Sequence, residues 1–112
     1  MTVMYKKSTV LKAGNYEHCP LMEDDMMWIR MLLVGAKCAN VDDYLVYART
    51  GYAMIERRGG WTYFKKYRNG RKKIYNTRYI SKWDYYKTIA VQLVVALLPK
   101  KIRLFVFTKL LR

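Results

Sequence analysis

Apolar residues recur at helical spacing in several stretches of this chain, and polar, glycine or proline residues punctuate them. The clearest stretch runs from Asp24 to Val34, where Met27, Trp28, Met31, Leu32 and Val34 approximate one face and Gly35 supplies a stop. Upstream, Ser8 to Ala13 has room for one helical turn, with Ser8 as cap and Gly14 as stop. Thr2 to Tyr5 is short and partly β-branched and reads as a strand or strand end. Asn15 to Leu21, with Pro20 inside it, reads as a loop. Lys37 to Val41 and Tyr44 to Arg49 read as short extended pieces around a turn at Asp42-Asp43.

Beyond Gly51 the character changes, and Glu56-Arg57-Arg58-Gly59-Gly60 reads as a flexible charged connection into a helical rear. Phe64, Tyr67, Arg71, Ile74 and Tyr75 share a face of a helix starting near Trp61, with Asn69-Gly70 a weak point at which it can break. Ser81-Lys82-Trp83-Asp84 has the form of a capping box with Asp in place of Glu. The helix it opens should bury Tyr86, Ala90, Leu93, Val94 and Leu97, and Pro99 should end it and start another. In that last helix Ile102, Phe105, Val106 and Leu110 face one way, while Lys101, Arg103, Lys109 and Arg112 ring the rest. The longest apolar run, Ile89 to Leu98, is half the length of roughly twenty residues that a membrane span needs.

Charge changes this picture more than composition does. Residues 1–56 carry six Lys/Arg against seven acids, whereas residues 57–112 carry sixteen against one, Asp84. A merely solvated face mixes signs, and this one does not. A cationic rear of this kind seeks phosphate, on lipid head groups or on nucleic acid. With Trp61, Tyr63, Trp83, Tyr85 and Tyr86 interspersed, it suits a helix lying on an anionic membrane surface, although about half of such aromatics ordinarily pack a core. The 112 residues suffice for one modest domain, and 53% apolar content excludes wholesale disorder. Cys19 and Cys38 have no Cys-x-x-Cys spacing and His18 is the sole histidine, which argues against zinc and against a His18-Cys19 nucleophilic pair. Both thiols are expected to stay reduced in a cytoplasmic setting.

Candidate chemistry concentrates at Glu23-Asp24-Asp25, directly before the first clear helix. One acid there is an ordinary response to free N–H groups and the positive dipole end. Three in a row repel one another, a crowding common where a carboxylate serves as a base. Both readings stand on spacing alone.

Around this cluster an ordered series appears: Lys12-Ala13-Gly14-Asn15-Tyr16, Glu23-Asp24-x-x-Met27-Trp28-x-Arg30, Gly35-Ala36-Lys37, Asn40-Val41, Leu45-Val46-Tyr47-x-Arg49 and Arg57-Arg58-Gly59-Gly60. The series resembles the C-terminal part of family 2 glycosyltransferases of GT-A fold, inverting enzymes that build bacterial surface polysaccharides. The resemblance runs from about Thr2 to about Phe64, and more loosely through the basic tail.

It implies an α+β, mainly helical chain: residues 1–56 as the acceptor-side C-terminal portion of a GT-A-type α/β domain, residues 57–112 as a basic amphipathic helical tail. It also implies a nucleotide-sugar donor and a glycan or lipid-linked acceptor, on the inner face of the cell membrane. Asp24 would be the general base, with Glu23 beside it. Many members carry a second Asp two residues after the base, where this chain has Met26. Arg49, Arg57 and Arg58 are candidates for the leaving diphosphate, with Gly59-Gly60 as a flap, although Arg57 and Arg58 equally suit the start of a basic membrane surface. Trp28 and Arg30 would hold the Asp24 helix rather than touch sugar.

Neither a Gly-rich nucleotide-binding turn nor the family's Asp-x-Asp metal motif occurs here. No metal ligand is therefore assigned, the magnesium or manganese ion of the family belongs to the full-length enzyme, and the chain by itself is expected to be inactive. A rival reading, a small nucleic-acid-binding module using stacked aromatics, explains residues 57–112. It leaves Glu23-Asp24-Asp25 without purpose and matches no helix-turn-helix, RNA-recognition or zinc-finger pattern.

Overall fold

A computed structural model describes residues 3–47 and 57–106, apart from the side chain of Leu104. The chain divides into two units, Met1–Arg49 and Thr50–Arg112. The boundary expected between 56 and 57 adjoins residues outside those described.

The first unit holds two helices, α1 (Lys7–Lys12) and α2 (Glu23–Leu33). Helix α1 starts one residue before Ser8, with Lys6 as its N-cap and no side-chain cap, because Thr9 and Val10 N–H already donate to Lys6 O at 3.0 and 3.2 Å. Both helices end as the glycines foretell. In α1 Gly14 N–H bonds Leu11 O and Asn15 N–H bonds Val10 O, each at 3.0 Å; in α2 Gly35 N–H bonds Leu32 O at 2.9 Å and Ala36 N–H bonds Met31 O at 3.0 Å. These are paired 5→2 and 6→1 closures, which need a left-handed residue. Gly14 (φ 85°) and Gly35 (φ 87°) supply it.

Val10 and Ala13 of the α1 segment pack on Met27 and Met31 of α2, with Val34 and Ala36 at the margin. Met26 is buried too, at 4% exposure, while Leu32 turns to water, so the inner face of α2 is rotated toward its N-terminus from the face expected. Among the described residues there is no strand: 3–6, 36–41 and 44–47 run as irregular backbone without a ladder. The extended pieces expected there have no paired neighbour among the described residues, and strands exist only through such pairing.

The second unit begins, in its described part, at Arg57 and contains α3 (Trp61–Asn76), α4 (Lys82–Leu97) and α5 (Lys100–Phe105). Helix α3 does not break at Asn69-Gly70; Gly70 is buried in line with Tyr67 and Ile74, on the face that packs. The 77–81 connection reverses the chain, and α4 returns along α3 as an antiparallel pair. Arg71 Nε donates to Thr88 Oγ1 at 3.3 Å, and the Tyr75 and Tyr85 rings meet at 5.2 Å, which fixes the register.

The capping box forms as the sequence indicates. Asp84 N–H donates to Ser81 Oγ at 3.0 Å, Ser81 N–H donates to Asp84 Oδ2 at 3.4 Å, and the Ser81 hydroxyl donates to the same oxygen at 2.6 Å. These hydrogen bonds, led by the hydroxyl's, hold the Asp84 carboxyl below its ordinary pKa. Pro99 is the N-cap of α5 rather than its first residue.

The face of α4 differs from expectation. Tyr85, Thr88, Ile89, Gln92 and Leu93 lie on its more protected side, whereas Tyr86, Ala90, Val94 and Leu97 are exposed. Helix α4 is apolar nearly all round, so periodicity alone could not choose a side; the Arg71–Thr88 and Tyr75–Tyr85 contacts choose it. Arg103 also departs from expectation, turning inward to 5% exposure instead of ringing the outer surface.

Candidate functional site

The three acids Glu23, Asp24 and Asp25 form the first turn of α2. Its N-cap, Met22, offers no side-chain acceptor, so these carboxylates supply the negative charge that the helix end attracts. All three are exposed. Glu23 faces His18, with Oε1 at 3.9 Å from Nδ1. Asp24 Oδ1 accepts a hydrogen bond from the Tyr16 hydroxyl at 3.4 Å, and that hydroxyl in turn meets Tyr5 OH at 3.1 Å. The bond with Tyr5, reinforced by the negative charge of Asp24, pushes the Tyr16 phenol up to about 12. Tyr16 therefore remains a donor throughout the physiological range and aims its proton at the carboxylate.

The loop that carries Tyr16 is tied down on both sides. Gly14 and Asn15 both take left-handed backbone, turning the chain out of α1. Arg30 of α2 lies against Gly14, where a Cβ would overlap its guanidinium, and its Nη1 donates to Glu17 Oε2 at 3.1 Å. Arg30 thus braces the loop one residue to either side of the Asn15-Tyr16 pair.

Trp28 is half-buried and lines a groove of about 360 Å³ with Val3, Tyr5, Thr9, Met31 and Cys38. Tyr5 therefore connects the groove to Asp24 through two hydrogen bonds. Met26, at the position where a second acid was noted as missing, is buried against the core, so a carboxylate there would have to enter an apolar interior.

Glu23 and Asp24 are brought together in one turn, and Arg57 and Arg58 lie side by side and exposed in the other unit. Arg49 lies outside the described residues. Both glycines of the Gly59-Gly60 pair have packing roles in the structure. Gly60 is the N-cap of α3 with φ 84° and ψ 169°, backbone that glycine alone takes readily, and Gly59 lies beneath the Arg103 guanidinium, where a Cβ would overlap it. Among the described residues no three His, Cys, Asp or Glu side chains converge as a metal site. Cys19 is buried and Cys38 exposed, and neither is in a disulfide.

Tyr5, Tyr16 and Arg103 were not legible as site residues. Tyr16 carried a signal, as an aromatic directly after the Gly14-Asn15 turn and before an acid. Tyr5 and Arg103 carried none, since their partners are remote in sequence.

No family model matches the chain, and no solved structure matches it. Curated relatives do. The chain is 40% identical over 65 residues to the amylovoran biosynthesis glycosyltransferase AmsE of Erwinia amylovora, across 58% of this chain and 24% of that protein. It is 46% identical over 78 residues to an uncharacterized glycosyltransferase of Haemophilus influenzae, across 62% of this chain and 28% of the relative. It is 30% identical over 110 residues to the UDP-Gal:alpha-D-GlcNAc-diphosphoundecaprenol beta-1,3-galactosyltransferase of Escherichia coli, across 98% of this chain and 40% of that enzyme. The chain spans between about a quarter and two fifths of the length of these relatives. Glycosyltransferases are what it is similar to, and the third similarity runs through both units.

Proposed function

We propose that this chain is the acceptor-side, C-terminal part of an inverting family 2 glycosyltransferase of GT-A fold, moving a sugar from a nucleotide-sugar donor to a lipid-linked or polysaccharide acceptor. The observation that carries the reading is the exposed Asp24, presented on the first turn of α2 and oriented by Tyr16, in a chain similar to glycosyltransferases along nearly its whole length. In the reaction, an acceptor hydroxyl oxygen attacks the anomeric carbon of the donor. Asp24 takes the hydroxyl proton as the new C–O bond forms, and the old C–O bond breaks with its electron pair leaving on the diphosphate. Tyr16 holds one oxygen of Asp24, which leaves the other free for the acceptor. Arg49, Arg57 and Arg58 are assigned to the leaving diphosphate, whose growing charge guanidinium groups meet well. No step is assigned to a divalent cation in this chain.

The acceptor reading draws on the E. coli relative, whose name specifies a diphosphoundecaprenol-linked acceptor. A lipid-linked acceptor requires the enzyme to work at a membrane surface. No described helix is long and apolar enough to cross a membrane. Helix α4 instead exposes Trp83, Tyr86, Val94 and Leu97, at 76, 59, 60 and 70%, in one stripe at spacings that keep them on a single side. Ile102 and Phe105 of α5 are also exposed, and cations outnumber acids sixteen to one over 57–112. An apolar stripe among cations fits the interface of an anionic bilayer, with the chain peripheral on its cytoplasmic side. The nucleic-acid alternative is less favoured, because the galactosyltransferase similarity includes the basic unit as well as the acidic turn.

The test is transfer by the intact enzyme that contains this chain, followed by the anomeric configuration of the product. Inversion is expected, and retention would refute the single-displacement role given to Asp24. The 112 residues alone should transfer nothing.

A further inference from the structure

Among the described residues one charged side chain is buried, Arg103, with 5% exposure, and its Nε has no hydrogen-bond partner. Withdrawing a guanidinium from water is unfavourable unless an anion answers it. The Arg103 guanidinium lies on Gly59, next to the N-cap of α3. That helix of sixteen residues starts without a side-chain cap and without an acid in its first turn. Its first helical bond is Phe64 N–H to Gly60 O at 3.1 Å, so the N–H groups of Trp61, Thr62 and Tyr63 have no helical acceptor.

The positive end of a long helix thus faces a buried cation, with Arg57 and Arg58 immediately before it. From residue 57 onward the single acid is Asp84, and it is engaged with Ser81. Among the described residues the charged side chains gathered at this point, Arg57, Arg58 and Arg103, have the same sign.

We propose that Arg103, the Gly59-Gly60 backbone and the first turn of α3 form a binding site for a phosphate or diphosphate group, with Arg57 and Arg58 at its rim. A glycine pair leading into a free helix N-terminus lets an anion approach the backbone closely, and a planar guanidinium adds a two-pronged contact. Gly59 is needed because a side chain there would occupy the place of the guanidinium. The site deepens the assignment of Arg57 and Arg58 to a diphosphate and rests on that assignment. It adds Arg103, from the short helix α5 that follows α4, as the buried anchor. The diphosphate could belong to a nucleotide or to a lipid-linked sugar, since the shared chemistry is the same.

The test is a titration of the isotopically labelled full chain with inorganic pyrophosphate at near-physiological salt, followed through backbone amides and the Arg103 Nε–H. Saturable shifts confined to Gly59, Gly60, Trp61 and Arg103 are expected. Arg103→Met should weaken binding by about tenfold or more, as loss of a charge-assisted bidentate contact does, without lowering the thermal midpoint of the anion-free chain. Shifts that spread over the surface lysines without saturation, or an Arg103→Met chain that binds as the parent does, would overturn the site. If Arg103→Met does not fold, the amide map of the unaltered chain decides by the same criterion. Parallel titrations with uridine diphosphate and with a short-chain prenyl diphosphate identify the source, and a chain that holds neither at these amides contradicts the proposal. Because the readout is binding and not transfer, a failure of the Asp24 mechanism would leave it unaffected.

Discussion

At the scale of single residues the decisive feature is the short relay from Tyr5 through Tyr16 to Asp24. Its phenol donor is dependable because the Tyr16 pKa is raised to about 12, first by its bond with Tyr5. The protonated phenol is favoured in the fold, so this contribution is complete below the ordinary tyrosine value near 10 and is lost as pH rises through about 12. Titration followed at the Tyr16 Cζ carbon should show that late transition, and ionisation at the ordinary value would remove the relay. In the intact enzyme Tyr16→Phe keeps the ring and deletes the donor. A hydrogen bond to a charged group is worth about 1.5–3 kcal/mol, so turnover should fall by roughly 10- to 150-fold, with the fold unchanged. Unchanged turnover would mean that Tyr16 merely neighbours the carboxylate. Glu23 lies 3.9 Å from His18 Nδ1 and has no hydroxyl aimed at it as Asp24 has, and Glu23→Gln should be much milder.

At the scale of elements, α4 depends on the Ser81–Asp84 box. Ser81→Ala should cost about 1 kcal/mol, as loss of an N-cap does, read as faster amide exchange in the first turns of α4. Asp84 has a lowered pKa, so its ionised form is the one the fold favours; its contribution is complete above the ordinary aspartate range and is lost as pH falls through the depressed value. Exchange protection of α4 should therefore drop on acidification in the parent and much less in Ser81→Ala. The box was legible in the sequence because capping involves residues three apart, and the Gly14 and Gly35 stops were legible for the same reason. The inward side of α4 was not. Its apolar residues surround the axis, and the contacts that orient it, Arg71 with Thr88 and Tyr75 with Tyr85, join positions ten or more apart. The short strands failed likewise, since a strand is specified by its partner and none pairs with them among the described residues. At the site the acidic turn could be read directly, whereas Tyr5 and Arg103 gain their meaning only from tertiary contact.

At the scale of the whole molecule, charge asymmetry and the uncovered stripe of α4 join in one expectation. The chain should bind anionic vesicles reversibly, with each surface Lys or Arg contributing about 1 kcal/mol. Reversing Lys82, Lys87 and Lys101, all exposed, should weaken binding to anionic lipid far more than to neutral lipid. Val94→Asp with Leu97→Asp should remove the part that survives high salt. Vesicle sedimentation reads both, and tight binding of RNA at physiological salt with no binding of anionic vesicles would reverse the partner assignment. The catalytic reading turns on one carboxylate, Asp24, which differs from its two acidic neighbours in accepting the Tyr16 hydroxyl. The most direct measurement is single-turnover sugar transfer by the intact enzyme carrying Asp24→Asn, with donor affinity measured in parallel. A fall of about 10²-fold or more in the rate, as for loss of a positioned general base, with donor binding retained, is the result expected. A rate near that of the parent would contradict it.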